Sequence, residues 1–131
     1  MISKVVYLGD LRTECTHIQS GTKIITDAPL DNQGKGEAFS PTDLLATSLA
    51  SCMMTIIGIY CKNHGINFDF CTAEIEKIMG INPRKVEKII VHMDFTGNNW
   101  DSSTLEKVII AGKTCPVAKT IEDSVQIEFN F

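Results

Sequence analysis

The fold is decided by the segment SPTDLLATSLASC, residues 40–52. Its first residue, Ser40, is a preferred helix N-cap, and Pro41 suits the first helical position because its missing N–H costs nothing there. Asp43 stands where an acid completes a capping box. Gly65 supplies the matching stop signal. The segment therefore predicts one long helix of roughly 24 residues, ~36 Å in length, which would be the central element of a small domain.

Residues 44–61 of this helix carry no charge, which is the length of a short membrane span. Several polar side chains interrupt the run, and the chain contains only one such segment. Burial at the centre of a soluble protein or dimer is therefore the preferred interpretation, with no membrane partner. The recurring apolar side chains at 45, 49, 52, 56 and 59 predict a buried stripe that includes Cys52.

Short segments of alternating or β-branched residues flank the helix on both sides. Strands are predicted over residues 4–8, 14–18, 23–27, 67–79 (with a bulge near 70), 89–95 and 125–131, and a polar, glycine-bearing loop over 31–36. A second helix over 101–112 should stop at Gly112, and a short third helix should begin near Cys115 with Thr114 as its cap. Strands in two groups around one helix define an α+β fold, expected as a single domain over residues 1–131.

Charge and cysteine usage exclude several function classes. The net charge is -4 and the lysines are dispersed, so nothing resembles a nucleic-acid footprint. Five cysteines and no secretory signal at the start of the chain favour a reduced, cytoplasmic protein over a disulfide-stapled one. No CxxC or HxxxH spacing occurs, so no metal or organic cofactor is expected.

Two of the cysteines have distinctive surroundings. Cys52 lies in the long helix, and Cys115 lies in the motif Thr-Cys-Pro-Val. A reactive cysteine with a second, resolving cysteine is the arrangement that a peroxide-reducing enzyme needs. The other three, at positions 15, 61 and 71, are interpreted as packing or incidental thiols.

The Ser-Pro-Thr-Asp-Leu-Leu-Ala-Thr-Ser-Leu-Ala-Ser-Cys run, followed about sixty residues later by Cys-Pro-Val, resembles the OsmC/Ohr family of osmotically inducible and organic hydroperoxide resistance proteins. The resemblance implies an OsmC-like fold, with antiparallel strands around a long central helix, in an intertwined homodimer with sites at the subunit interface. It also implies an antioxidant, stress-response oxidoreductase that reduces organic hydroperoxides. Cys52 would be the reactive cysteine, Cys115 the resolving one, and an external thiol the reductant.

The same resemblance implies an arginine and a carboxylate in the site. Arg12, in the first group of strands, matches the arginine. In the peroxidase-type pattern a glutamate directly follows the proline at the helix start, whereas this chain has Thr42 there and its acid one step later, at Asp43. That start is closer to an OsmC-like branch of the family. Glu37, in the preceding loop, is the rival acid.

Physical reasoning adds two constraints. Cys52 lies too far along its helix for the helix dipole to activate it, so its reactivity requires a cation, and Arg12 is the best candidate. Asp43 precedes Cys52 by nine residues, which on a straight helix places them ~13.5 Å apart on opposite faces. Asp43 could therefore serve its site only through another element or a partner subunit, or it could be only a cap.

Three functions remain open at this point. The leading one is a thiol peroxidase that acts on organic hydroperoxides. The second is a non-enzymatic protein that binds a small apolar ligand, with Cys52 lining the pocket. The third is a redox-sensing stress protein whose cysteine is oxidised without turnover.

Overall fold

The computed structural model describes all residues, 1–131, and confirms the α+β prediction. The elements are β1 (Ser3–Gly9), β2 (Arg12–His17), β3 (Lys23–Asp27), a short 3-10 turn (Leu30–Asn32), α1 (Pro41–His64), β4 (Thr72–Gly80), β5 (Lys85–Asp94), α2 (Ser102–Gly112), α3 (Pro116–Ile121) and β6 (Gln126–Asn130). The chain divides into two compact units, Met1–Leu45 and Ala46–Phe131. The single-domain assignment stays a prediction.

The first unit contains an antiparallel sheet in the order β1-β2-β3. Its register pairs Arg12, at the start of β2, with Asp27, at the end of β3. The strand β1 exposes apolar side chains on both of its faces, because Val5 and Tyr7 alternate with Val6 and Leu8 and all four are exposed. This small sheet therefore buries little of its own apolar surface.

The second unit holds the hydrophobic core, and the middle of α1 runs through it. The buried residues of α1 are Ala46, Leu49, Ala50, Met53, Ile57 and Cys61. The predicted stripe was wrong by about one residue, or ~100° around the helix: Leu45 and Ile59 are exposed, and Cys52 is half-buried beside the stripe. By length and composition α1 could cross a membrane, but its buried stripe packs as in the core helix of a soluble protein.

The second sheet has the order β4-β5-β6, with β4 and β5 antiparallel and β5 and β6 parallel. The prediction that β4 begins at Asn67 and bulges near Phe70 was wrong. Side chains of the loop before α2 bind the backbone there instead: Trp100 Nε1 donates to the carbonyl of Asn67, and Asn98 Nδ2 donates to that of Phe70. With those carbonyls satisfied outside the sheet, the strand begins only at Thr72.

The two predicted glycine stops turned out differently. Gly65 follows α1 with a φ of 64°, the left-handed conformation that ends helices. Gly112 is instead the last residue of α2, its φ lies outside the left-handed region, and the helix is capped by Lys113. The prediction that the second helix ends at Gly112 is confirmed, but the residue does not adopt the left-handed conformation of a glycine stop, so its role must be sought in packing.

Candidate active site

Cys115 occupies the N-cap position of α3. Its backbone is extended, and its Sγ accepts a hydrogen bond from the N–H of Ala118 at 3.3 Å. The side chain is wholly buried, with 0% exposure. The prediction that Thr114 caps this helix was wrong, because the Thr114 hydroxyl donates back to the carbonyl of Ala111 in α2. The cysteine itself therefore fixes the start of α3.

The pKa of the Cys115 thiol is raised above its ordinary value, first of all by burial. The hydrogen bond from the Ala118 N–H acts in the opposite direction, while a hydrogen bond with Cys52 and the charge of Cys52 raise the pKa further. Cys52 and Cys115 thus interact directly, and both are free thiols. The structure brings together the two cysteines that the sequence motifs select.

The packing of α1 against α2 places Cys52 near α3. Cys52 is half-buried and packs against the core, next to the fully buried Met53. Met53 and Ile57 of α1 both contact the position of Gly112, at the end of α2. Because Cys115 follows α2 after only a short connection, this contact holds it beside α1.

In the first unit, Arg12 is held by two carboxylates. Its Nε and Nη2 donate to the two carboxylate oxygens of Asp27 at 2.7 and 2.9 Å, and Nη2 also donates to Glu37 at 3.0 Å. The Asp27 side chain is 1% exposed, whereas that of Glu37 is 65% exposed. A bidentate pair fixes the plane of the guanidinium, so Arg12 has a defined orientation.

The charges of this group support one another. The hydrogen bond from Arg12 lowers the pKa of Asp27, against burial, which acts to raise it, and the charge of Arg12 lowers it further. Conversely, the hydrogen bond to Asp27 raises the pKa of Arg12 far above its ordinary range, with a smaller contribution from Glu37. The pair is therefore ionised at neutral pH.

Sequence reasoning missed Asp27. The register of the sheet could have revealed it. β2 and β3 are joined by a short turn, and their pairing places Arg12 and Asp27 opposite each other. The backbone N–H of Glu37 also donates to Asp27, so the carboxylate closes the intervening loop. Within that loop Gly34 lies against the backbone of Ala28, where a Cβ would stand 1.6 Å from the carbonyl oxygen. The predicted polar loop is thus a folded, hydrogen-bonded one.

Asp43 completes the predicted capping box. Its carboxylate accepts from the N–H of Ser40 at 2.9 Å, and the Ser40 hydroxyl accepts from the N–H of Asp43 at 3.1 Å. The structure places Asp27 and the rival acid Glu37 on Arg12, whereas Asp43 acts as a cap. No three His, Cys, Asp or Glu side chains are grouped so that they could hold a metal ion.

Comparison with known proteins identifies the class to which this fold and this cysteine pair belong. Residues 34–130 match the model of the OsmC-like protein family, and the chain belongs to that family. A crystal structure from Psychrobacter arcticus 273-4, provisionally assigned as an osmotic stress induced and detoxification response protein, has 50% identity and a TM-score of 0.93, covering 99% of this chain and 94% of that one. Among curated proteins the chain has no match.

More distant solved structures share the fold. The organic hydroperoxide resistance protein OsmC of Legionella pneumophila is 19% identical with a TM-score of 0.78, over 98% of this chain and 93% of that one. The organic hydroperoxide resistance protein OhrB of Bacillus subtilis is 16% identical with a TM-score of 0.67, over 99% of this chain and 97% of that one. The predicted family resemblance is confirmed, and at these identities the likeness is one of fold.

Proposed function

We propose that the protein reduces organic hydroperoxides by a thiol cycle in which Cys52 is oxidised and Cys115 resolves it. The observation that carries the proposal is the direct interaction of the two side chains, one half-buried and one wholly buried. This arrangement separates the thiol that meets the peroxide from the thiol that closes the disulfide. The family relationship to organic hydroperoxide resistance proteins supports this substrate class.

The proposed chemistry has three steps. The Cys52 thiolate attacks the terminal oxygen of ROOH; an S–O bond forms, the O–O bond breaks, and the alkoxide takes up a proton and leaves as ROH. This oxidises Cys52 to the sulfenic acid. Cys115 then attacks the Cys52 sulfur, forming the S–S bond and releasing the sulfenic oxygen as water. An external dithiol reduces the disulfide by exchange and is itself oxidised to a disulfide.

Arg12 is proposed as the cation that favours the Cys52 thiolate and stabilises the developing alkoxide. Its hydrogen bonds to Asp27 and Glu37 use Nε and Nη2, which leaves Nη1 to meet an anion. Asp43 remains the acid proposed from its place in the motif, and Glu37 is the alternative. The contact between Glu37 and Arg12 favours that alternative.

Oxidation of Cys52 would also prepare Cys115 for its own step. Burial remains the main cause of the raised pKa of Cys115, but the charge of Cys52 adds to it in the reduced protein. Oxidation consumes the Cys52 thiolate, so we expect the contribution of its charge to fall once the sulfenic acid has formed. The N–H of Ala118 continues to stabilise the thiolate.

We further propose that the protein acts as a homodimer in the cytoplasm. The exposed apolar side chains on both faces of β1 are the surface that a second copy would cover. The five free cysteines are consistent with a reducing compartment. Light scattering tests the dimer directly, and a monomer at micromolar concentration would contradict it.

Peroxide consumption tests the activity. Reduced protein is mixed with cumene hydroperoxide and dihydrolipoamide, alongside the Cys52→Ser, Cys115→Ser and Cys71→Ser variants. We expect sustained turnover that is abolished by Cys52→Ser, strongly reduced by Cys115→Ser and unchanged by Cys71→Ser, since Cys71 is assigned no role. Turnover that survives Cys52→Ser would refute the proposal.

A redox sensor is the second candidate, and the burial of Cys115 favours it. A thiol with a raised pKa is mostly protonated near neutral pH and resolves a sulfenic acid slowly. A sensor would be oxidised once by one equivalent of peroxide and would show no turnover with dihydrolipoamide. The same assay therefore separates the two functions.

A further inference from the structure

Gly112 has no conformational reason to be glycine. It is the last residue of α2, and its φ lies outside the left-handed region in which glycine is favoured. Glycine inside a helix costs stability relative to alanine, because it orders a more flexible backbone. A glycine in this place therefore indicates that something approaches the backbone closely.

That neighbour is the core face of α1. A Cβ at position 112 would stand 3.0 Å from Cδ1 and 3.1 Å from Cγ1 of Ile57, and 3.6 Å from the Cε methyl of Met53. Gly112 is itself buried. The end of α2 thus rests on α1 so closely that a side chain at 112 would require Ile57 or the helix end to shift by a few tenths of an ångström.

The same residue leads directly to the resolving cysteine. The carbonyl of Gly112 accepts a hydrogen bond from the backbone N–H of Cys115 at 3.2 Å. On the other side of the contact, Met53 is the neighbour of Cys52 in sequence. Gly112 therefore touches the helix that carries one cysteine and binds the backbone of the other.

We propose that Gly112 is a positioning residue that sets the approach of Cys115 to Cys52. This inference rests on the proposed function, in which the two thiols form a disulfide. A disulfide tolerates little error in the separation of its Cα atoms, so a displacement of the end of α2 would reduce its formation. A Cβ at position 112 requires a shift of a few tenths of an ångström, and because Ile57 belongs to a packed core we expect the end of α2 to take up that shift.

The positioning role of Gly112 can be tested without peroxide, by measuring the effective concentration of the Cys52–Cys115 thiol pair. Reduced Gly112→Ala protein is equilibrated in glutathione redox buffers, and the fraction of Cys52–Cys115 disulfide is measured by alkylation and mass spectrometry. We expect an effective concentration about tenfold below that of the wild-type protein, equivalent to ~1.4 kcal/mol. The control is Gly58→Ala in α1, where the nearest atom to the added Cβ lies at 4.0 Å, and it should leave the value unchanged.

A rescue separates positioning from a general loss of structure. The double variant Gly112→Ala/Ile57→Val conserves volume and removes the nearer of the two Ile57 atoms, Cδ1, so it should recover part of the wild-type effective concentration. Ile57→Ala removes the side chain against which Gly112 packs but keeps the glycine. It should lower the effective concentration of the cysteine pair, and it provides a test even if Gly112→Ala does not fold. A wild-type effective concentration in Gly112→Ala or in Ile57→Ala would overturn the positioning role of Gly112. So would a double variant that folds but shows no recovery of the effective concentration. Absence of peroxidase turnover would refute the proposed function and leave this measurement intact.

Discussion

Arg12 binds the buried carboxylate of Asp27 through two parallel hydrogen bonds, at 2.7 and 2.9 Å. Asp27 is the last residue of β3 and lies opposite Arg12 in the sheet register. The orientation of the guanidinium is therefore fixed by the strands, and the exposed Glu37 adds a third hydrogen bond. Any role of Arg12 in catalysis depends on this structural pair.

Removal of Arg12 should destabilise the protein, because it leaves the Asp27 carboxylate buried and unpaired. We expect Arg12→Ala to lower the midpoint of urea unfolding clearly, and Arg12→Lys to recover only part of the loss, since an ammonium cannot reproduce the two parallel bonds. Lys4→Ala, which removes an exposed cation from β1 of the same sheet, is the control. Equal midpoints for Arg12→Lys and the wild-type protein would contradict the bidentate role.

The pH dependence of stability should report Asp27. The hydrogen bond from Arg12 lowers the pKa of this carboxyl in the folded protein. Its contribution to stability is therefore fully present above the unfolded-state pKa, about 3.9, and is lost as the pH falls through the lower folded-state pKa. The free energy of unfolding should fall less steeply with acidification in Asp27→Asn than in the wild-type protein. If the free energy of unfolding fell equally steeply with acidification in both proteins, Asp27 would not be the group responsible.

Gly34 should tolerate no side chain. A Cβ there would overlap the carbonyl oxygen of Ala28, so the loop that presents Glu37 to Arg12 would have to rearrange. We expect Gly34→Ala to lose at least ~3 kcal/mol of unfolding free energy, at the upper end of overpacking costs. Gly58→Ala, which adds the same methyl at an ordinary van der Waals distance of 4.0 Å from Phe68, serves as the control and should be neutral or stabilising. A near-neutral Gly34→Ala would show that the loop is not held as described.

The two possible roles of Asp43 can be separated by a matched pair of variants. Asp43→Asn keeps an oxygen that can accept from the Ser40 N–H but removes the charge, so stability should change little. Ser40→Ala keeps the acid and removes the cap hydroxyl, at a cost of about 1 kcal/mol. If Asp43 is only a cap, peroxidase activity should survive Asp43→Asn. If its charge takes part in the reaction, activity should fall in Asp43→Asn and persist in Ser40→Ala.

The rate of disulfide closure should rise with pH. Burial raises the pKa of Cys115, so its thiolate is scarce near neutral pH and increases about tenfold per pH unit below that pKa. Stopped-flow measurement of the closure step, after Cys52 has been oxidised by one equivalent of peroxide, should show this increase from about pH 6 to about pH 9. A flat profile would mean that another group takes the proton from Cys115.

The sequence was sufficient where local signals act alone. The capping box at Ser40, the stop at Gly65 and the three N-terminal strands follow from propensity and turn chemistry, and the structure has them close to where they were expected. The two cysteine motifs each have an unusual local setting, and the structure places their side chains together. Their role as a redox pair stays a prediction.

The remaining features depend on tertiary contacts that no local pattern contains. The start of β4 is displaced because side chains of the loop before α2 bind the backbone carbonyls there. The glycine at position 112 is explained by its close packing against Ile57, not by its backbone conformation. Asp27 was missed because its partner becomes visible only when the strand register is known. The side of α1 that is buried was misjudged because the helix is apolar on most sides.

Cys52 and Cys115 are proposed to act as one redox pair, and mapping the disulfide that forms on oxidation is the sharpest test of this pairing. Reduced protein is treated with one equivalent of cumene hydroperoxide, alkylated and digested. We predict one new disulfide, between Cys52 and Cys115, together with sulfenic acid trapped at Cys52 in the Cys115→Ser variant. Oxidation at Cys15, Cys61 or Cys71 while Cys52 and Cys115 remain reduced would contradict the claim.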